Sequence, residues 1–157
     1  MLNIVLTRID DRLIHGQVAT AWSKVTNANR IIVVDDEVAN DSFMEMVLKS
    51  ATPSSLSVDV LTVNDASKVI SSDDTGERVI ILVKTPVTVV SLINAGVDIK
   101  ELNLGGMGAR KGRKQLYKNI SISEDERAAF KELIDKGVNV FLQIVPDAKQ
   151  ISVSKLL

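Results

Sequence analysis

The stretch Thr7–Trp22 contains the only histidine of the chain, and its sequence is TRIDDRLIHGQVATAW. His15 stands just before a helical pattern that we expect to begin at about Gly16, and the free N–H groups at a helix start favour an anion. Arg8 and Arg12 add two permanent positive charges whose donor forks suit phosphate oxygens. Since a neutral imidazole is a nucleophile near pH 7, the stretch predicts a phosphate site around a nucleophilic histidine.

Two carboxylates precede His15 and are candidates to orient its ring. A carboxylate bound to one ring nitrogen fixes the tautomer and presents the other nitrogen for attack. Asp10, Asp11 or a backbone carbonyl can fill this role, and the sequence leaves the three open. A plainer interpretation also stands, because a lone histidine near a helix start is often a capping or packing residue and Asp-Asp is often turn chemistry.

The elements that must position these residues follow from short apolar runs that alternate with helical patterns. This alternation predicts one α/β domain over residues 1–157, with an open, mainly parallel β-sheet and helices on both faces. In such a sheet the loops at the carboxyl ends of the strands form the ligand crevice, and Thr7–His15 is the first of these loops. The predicted strands are Leu2–Leu6, Arg30–Val34, Val58–Val63, Val79–Val83, Leu102–Leu104 and Val138–Val145, with a short edge strand at Asn119–Ser121.

Helices are predicted from their spacing and from their ends. Ser42 and Ser123 are each followed three residues later by a glutamate, which is the pattern of a capping box. Gly96 and Gly137 stand where a left-handed cap ends a helix. Further helices are predicted at Asn64–Ile70 and Val87–Ala95, and one buried helix face is predicted from Val18, Ala21, Trp22 and Val25.

Composition excludes several classes of protein. The chain has no cysteine, so disulfides, thiolate zinc sites and thiol nucleophiles are absent. Its 19 basic and 20 acidic side chains give a formal net charge of -1, and with five aromatic residues this argues against nucleic-acid binding. We find no ligand spacing for a metal and expect no cofactor. The N-terminal MLNIVLTRID reaches charge too early for a signal peptide, so a cytoplasmic protein is expected.

The segment Arg8–Val18, RIDDRLIHGQV, resembles the signature of the IIB component in the mannose/fructose/sorbose family of the sugar phosphotransferase system. The resemblance extends over essentially the whole chain, with support from Val33–Asp36, Val83–Pro86 and Leu104–Met107. It implies a phosphocarrier that accepts a phosphoryl group from a phosphorylated IIA protein on Nδ1 of His15. The group then passes to a sugar held by the membrane components IIC and IID, with which IIB associates at the membrane periphery.

Roles for further residues follow from this resemblance and from the needs of phosphoryl transfer. Arg12 and Arg8 are the candidates to hold the equatorial oxygens during transfer. The backbone N–H groups of Gly16 and Gln17 are expected to receive the resting phosphoryl group. Lys84 and Thr85 are expected to border the pocket, and the Pro86 that follows is equally well explained as a first helical residue.

The segment Gly105–Lys114, GGMGARKGRK, is basic and rich in glycine. It lacks both the full dinucleotide fingerprint and the Walker spacing, which argues against nucleotide binding. Arg110, Lys111 and Arg113 are predicted to form a rim that contacts an acidic IIA or the membrane components, or else an ordinary solvated loop.

Two rival functions remain at this point. One is a flavodoxin-like module that binds an anion or nucleotide without a covalent intermediate. The other is a hydrolase that uses His15 as a general base, which needs a positioned water and an open pocket. The pattern also leaves a homo-oligomer open, and the resemblance assigns sugar recognition to IIC and IID.

Overall fold

A seven-stranded sheet forms the centre of the computed structural model, which describes residues 1–16, 18–73 and 75–157. The strand order is β3-β2-β4-β1-β5-β8-β9, and every neighbouring pair is parallel except β8 and β9. This confirms the predicted open, mainly parallel sheet. The strands of this sheet are β1 Asn3–Asp10, β2 Arg30–Val34, β3 Ser57–Leu61, β4 Arg78–Val83, β5 Glu101–Gly106, β8 Asn139–Leu142 and β9 Ile151–Ser152, while β6 Lys114–Tyr117 and β7 Ile120–Ile122 form a separate antiparallel pair.

Helices cover both faces of the sheet because its central strands are apolar on both sides. Ile31 and Val33 pack into one cluster with residues from helices that lie between β1 and β3 in the chain. Ile32 and Val34 pack into the other cluster with residues from helices that lie between β3 and β8. Successive strand side chains point to opposite faces, which explains the continuous apolar runs. The helices are a π-helical turn at Val18–Trp22, α1 Ser23–Thr26, α2 Asp36–Ala39, α3 Ser42–Ser50, α4 Val63–Ser72, α5 Pro86–Asn94 and α6 Glu124–Asp135, followed by a 3-10 turn at Val153–Lys155.

Strand β1 is longer than predicted, and this changes the geometry of the site. The prediction ended the strand at Leu6 and treated Thr7–His15 as a loop, but β1 continues to Asp10. It lies between β4 and β5 and pairs with both of them, so its polar residues are held in the ladder by neighbours that are distant in sequence. Strands β6 and β9 were not predicted, and β8 is shorter than the predicted Val138–Val145.

Some of the predicted helix ends are confirmed by the structure and others are wrong. The capping box at Ser123 is confirmed, and Gly96 and Gly137 have the expected positive φ values. The capping box at Ser42 is wrong, because Asp41 is the N-cap and its carboxylate accepts a hydrogen bond from the backbone N–H of Met44. Val25 is 66% exposed, because the π-helical turn before it adds a residue per turn and rotates Val25 off the buried face.

None of the helices in residues 1–16, 18–73 and 75–157 combines the length and the apolar character that a membrane-spanning segment needs.

Candidate active site

The chain leaves the carboxyl edge of the sheet through a tight turn between β1 and His15. Asp10 pairs with Gly106 of β5, and its carbonyl accepts a hydrogen bond from the backbone N–H of Leu13 at 2.9 Å. Leu13 has a φ of 56°, a left-handed conformation that is uncommon for leucine. Its side chain is nevertheless buried in the core together with that of Ile14, so apolar packing anchors the turn that presents His15.

The ring of His15 is oriented by Asp10. Nε2 of His15 lies 2.9 Å from Oδ2 of Asp10, whose side chain is fully buried, while the His15 side chain is 18% exposed. Oδ1 of Asp10 accepts hydrogen bonds from the backbone N–H of Arg12 at 3.0 Å and from its Nε at 3.3 Å. Of the three alternatives that the sequence left open for orienting the ring, the structure brings Asp10 to it.

The protonation of this pair follows from the contacts of Asp10. Burial alone would raise the pKa of Asp10, but hydrogen bonds from His15 and Arg12 outweigh it and lower the pKa below its usual value. Asp10 is therefore ionised at neutral pH, and a carboxylate can only accept hydrogen bonds. Nε2 of His15 consequently carries the hydrogen, which leaves the lone pair of the neutral ring on Nδ1.

Arg8 lies beneath the site instead of facing it. Its side chain is fully buried, with Nη2 3.4 Å from Oδ2 of Asp10 and 2.9 Å from the carbonyl oxygen of Ile144. Nη1 donates to the side chain of Asn103 and to the carbonyl of Gln143, and the guanidinium carbon lies 5.1 Å from the ring centre of Trp22. The prediction that Arg8 holds phosphate oxygens directly is therefore wrong in this structure, because its guanidinium is buried and both terminal nitrogens are already bound.

A glycine pair makes room for these two buried side chains. A Cβ atom added to Gly105 would collide with the guanidinium of Arg8, and one added to Gly106 would lie 3.0 Å from Oδ1 of Asp10. The sequence analysis placed both glycines in the segment predicted to be a rim or a solvated loop, whereas both belong to β5. Asn103 and Trp22 were missed as supporting residues; the available signal for Asn103 was an amide inside a buried strand.

Arg12 remains available at the surface. Its side chain is 62% exposed, and its contact with Asp10 uses only the backbone N–H and Nε. Among the described residues, its two terminal nitrogens make no hydrogen bond to protein. The guanidinium fork can thus bind a phosphoryl group beside His15.

Only two of the three residues predicted to form the basic rim are exposed. Arg110 and Lys111 are exposed, as a rim requires. Arg113 is not a rim residue, because its side chain is 2% exposed and pairs with Asp11 and Glu126. Asp11 accepts hydrogen bonds from Arg113 and from the backbone N–H of Gly108, and no contact with His15 is seen in the part of the chain that is described.

The remaining predicted residues are placed as follows. Gly16 is helical and exposed, and Gln17 lies outside the described residues. Lys84 and Thr85 follow β4, which neighbours β1, and Thr85 precedes α5 with Pro86 in its first turn. Neither makes a hydrogen bond to Asp10, Arg12 or His15 within the described ranges, so their border role stays a prediction.

A cavity of about 240 Å³ adjoins the turn on the β5 side. Asp10, Asp11, Arg12 and Ile144 line it together with the glycine segment that ends β5. A larger cavity of about 350 Å³ lies at the opposite end of the sheet, between residues 1–7 and 98–101, and contains none of the predicted site residues. In residues 1–16, 18–73 and 75–157, no group of three or more His, Cys, Asp or Glu is arranged to hold a metal ion.

Comparison with known proteins identifies the family of this fold and site. The chain matches the family model of the sorbose subfamily IIB component of the phosphotransferase system over residues 4–157. It is 43% identical to the fructose-specific EIIB component of Bacillus subtilis over 147 residues, which are 93% of this chain and 90% of that protein. The mannose-specific EIIAB component of Escherichia coli is 39% identical over 98% of this chain and 48% of its own length.

A solved structure gives the same assignment. The crystal structure of the IIBSor domain of the sorbose permease from Klebsiella pneumoniae matches with a TM-score of 0.92 and 40% identity, covering 98% of this chain and 94% of that one. The chain therefore belongs to the sorbose subfamily of IIB components of the sugar phosphotransferase system. Its general role is that of a sugar phosphotransferase component, as the resemblance of Arg8–Val18 implied.

Proposed function

We propose that this protein carries a phosphoryl group on Nδ1 of His15, taking it from a phosphorylated IIA protein and passing it to a sugar. The observation that carries the proposal is the hydrogen bond from Nε2 of His15 to the buried, ionised Asp10. It supports attack by Nδ1, because the ring nitrogen that carries the hydrogen cannot act as the nucleophile. The family resemblance implies that IIA carries its phosphoryl group on a histidine. During acceptance the P–N bond to that histidine breaks as the new bond to Nδ1 of His15 forms.

Asp10 is also suited to the phosphorylated state. Once Nδ1 is bonded to phosphorus, the hydrogen on Nε2 remains with the ring and continues to bind the carboxylate. Buried Arg8 offsets part of the charge of Asp10 and holds its Oδ2, so the carboxylate does not need to move during transfer. Asp10 and Arg8 are thus a preorganised support for the imidazole.

Partners are proposed from the relatives and from the exposed charges. One relative is an EIIAB component, which supports a IIA protein as the donor, and relatives specific for fructose, sorbose and mannose support a sugar as the final acceptor. We place the protein in the cytoplasm, where it meets IIA and docks to the membrane components IIC and IID. Exposed Arg110 and Lys111 are proposed to guide these encounters, because rim charges raise association rates.

The decisive experiment is phosphorylation of the intact protein by the phosphorylated IIA protein (EIIA) from the same organism. We expect a mass gain of one phosphate that is acid-labile and base-stable, as a phosphohistidine is, and that maps to the peptide containing His15. Non-covalent binding alone would favour the flavodoxin-like module, and continuous release of free phosphate without a labelled intermediate would favour the hydrolase.

Arg12→Lys is expected to slow acceptance of the phosphoryl group on the order of a hundredfold, as loss of an oxyanion donor does. Lysine keeps the charge but loses the planar fork that matches two phosphate oxygens, and it also loses the Nε that binds Asp10. The measurement is the single-turnover rate of transfer from phosphorylated EIIA and of the reverse transfer. Arg78→Lys is the matched control, since Arg78 begins β4 at the opposite end of the sheet; near-native rates for Arg12→Lys would show that Arg12 does not bind the phosphoryl group.

A further inference from the structure

A partly buried ion-pair bridge joins the turn before His15 to the loop that follows β5. Asp11 immediately precedes Arg12, and its Oδ2 accepts hydrogen bonds from the backbone N–H of Gly108 at 2.6 Å and from Nη1 of Arg113 at 3.2 Å. The backbone N–H of Asp11 also donates to the carbonyl of Gly106 at 3.0 Å. The two loops are therefore connected by side chain and by backbone.

Arg113 is the centre of this bridge, and all three of its guanidinium nitrogens are bound. Nε and Nη2 donate to the two carboxylate oxygens of Glu126 at 2.9 and 2.8 Å, and Nη1 donates to the carbonyl of Gly108 at 2.9 Å as well as to Asp11. Burial opposes its charge, but the hydrogen bond to Glu126 and the charge of Asp11 outweigh burial and raise the pKa of Arg113. A bidentate pair of this kind fixes direction as well as distance.

Glu126 fastens the bridge to a regular helix. It is the third residue of α6, and its Oε1 also accepts the backbone N–H of Ser123 at 2.8 Å, which completes the capping box. The bridge thus runs from the start of α6 through Arg113 to Asp11, which lies between Asp10 and Arg12 in the chain. Any displacement of Asp11 moves the backbone N–H of Arg12 that binds Asp10.

We propose that Arg113, held by Glu126, is a positioning residue for phosphoryl transfer, because it fixes the turn carrying Arg12 and His15 to the loop after β5. The inference rests on the proposed function of His15. Phosphoryl transfer depends on alignment, and small displacements of the reacting groups reduce the rate strongly. Arg113 acts through Asp11 and touches neither the imidazole nor the proposed phosphate position.

The test is Glu126→Gln, since Glu126 binds Arg113 and its own cap, and within the described residues it makes no hydrogen bond to the turn that carries Arg12 and His15. Glutamine keeps the size of the side chain, and its oxygen can still accept the N–H of Ser123. Its NH2 group, however, replaces the carboxylate oxygen that binds Nη2 of Arg113, so two donors face each other there. We expect kcat for transfer from phosphorylated EIIA to fall about tenfold with KM unchanged. The backbone amide resonances of Asp11 and Gly108 should shift in the NMR spectrum.

Ser123→Ala is the matched control, because it breaks the same capping box without touching Arg113. We expect it to lower the unfolding midpoint while leaving kcat and the resonances of Asp11 and Gly108 unchanged. Equal losses of kcat in the two variants would assign Arg113 to stability alone and overturn the proposal. A folded Glu126→Gln protein with native kcat would overturn it as well.

A second variant approaches the bridge from its other end. Asp11→Asn keeps an acceptor for Gly108 but loses the charge that binds Arg113, and it leaves the buried pair of Arg113 and Glu126 intact. We expect the same about tenfold loss of kcat, and no further loss in the double variant with Glu126→Gln, since both changes break one bridge. The proposal would be contradicted if the loss of kcat in the double variant equalled the product of the two single losses. A native or faster rate for Asp11→Asn would contradict it as well.

The outcomes separate the two proposals. A wild-type protein that takes no label from phosphorylated EIIA contradicts the proposed function, and with it this role of Arg113. A wild-type protein that is labelled, with both variants transferring at the native rate, contradicts the role of Arg113 alone.

Discussion

His15→Ala is expected to abolish phosphoryl acceptance while leaving the fold intact. The substitution removes the only imidazole of the chain, and no cysteine is present to act as another nucleophile. The side chain sits at the end of a turn whose anchors are the buried Leu13 and Ile14, so truncating the ring leaves these apolar anchors in place. The measurement is incorporation of phosphate from phosphorylated EIIA, with circular dichroism and urea unfolding as tests of the fold.

His15→Gln provides the control for the hydrogen bond. Its amide N–H can still donate to Asp10, yet the side chain has no nucleophilic nitrogen. We expect it to be as inactive as His15→Ala and closer to the wild type in unfolding free energy. Label retained by either variant would show that another residue is phosphorylated and would refute the assignment to His15.

Asp10→Asn is expected to slow acceptance by about a hundred- to a thousandfold, by analogy with the larger loss when the aspartate of a Ser-His-Asp triad is replaced by asparagine. Four donors point at the carboxylate: the backbone N–H and Nε of Arg12 at Oδ1, and Nη2 of Arg8 and Nε2 of His15 at Oδ2. An asparagine offers one oxygen, so one pair of donors must face its amide N–H group. If that pair includes His15, the hydrogen moves to Nδ1 and blocks the nucleophile.

The same substitution also destabilises the fold, and the design must separate the two effects. Buried Arg8 loses the charge that it pairs with. Breaking a buried ion pair in this way lowers the free energy of unfolding by about 3 kcal/mol. Transfer rates are therefore compared per folded molecule, with the exposed Asp98→Asn as the matched control. Ring nitrogen chemical shifts of His15 report the tautomer directly, and native transfer with an unchanged tautomer would show that Asp10 does not orient His15.

The local part of the site was accessible from sequence because its members are neighbours in the chain. Asp10, Arg12 and His15 lie within six residues, so a single turn is enough to bring them together. The sheet was accessible for a similar reason, since each buried strand shows its apolar run on its own. Strand β2 matches its predicted bounds at both ends, because the four residues after Arg30 are all apolar and the neighbours on both sides are parallel strands.

The burial and the contacts of the three arginines could not be predicted from local sequence. Arg8, Arg12 and Arg113 have the same side chain, and all three were predicted to face a phosphate or a partner. Only the tertiary structure separates them: Arg8 contacts Asn103 and Gln143, 95 and 135 positions away, and Arg113 contacts Asp11 at a separation of 102. Local patterns carry no information on such contacts.

Contacts with residues that are distant in sequence also decide whether Asp10 or Asp11 binds His15. Both carboxylates are equally plausible partners for His15 in the sequence, but β1 continues through Asp10 and carries it between β4 and β5. Asp11, the next residue, has left the strand and meets Gly108 and Arg113 instead. The sequence by itself thus determined the α/β fold, and it predicted the proposed nucleophile His15 and the arginine three residues before it, since these depend on local pattern. The tertiary structure decided which charges are buried supports and which remain free, because burial depends on which distant strands and loops pack against each residue.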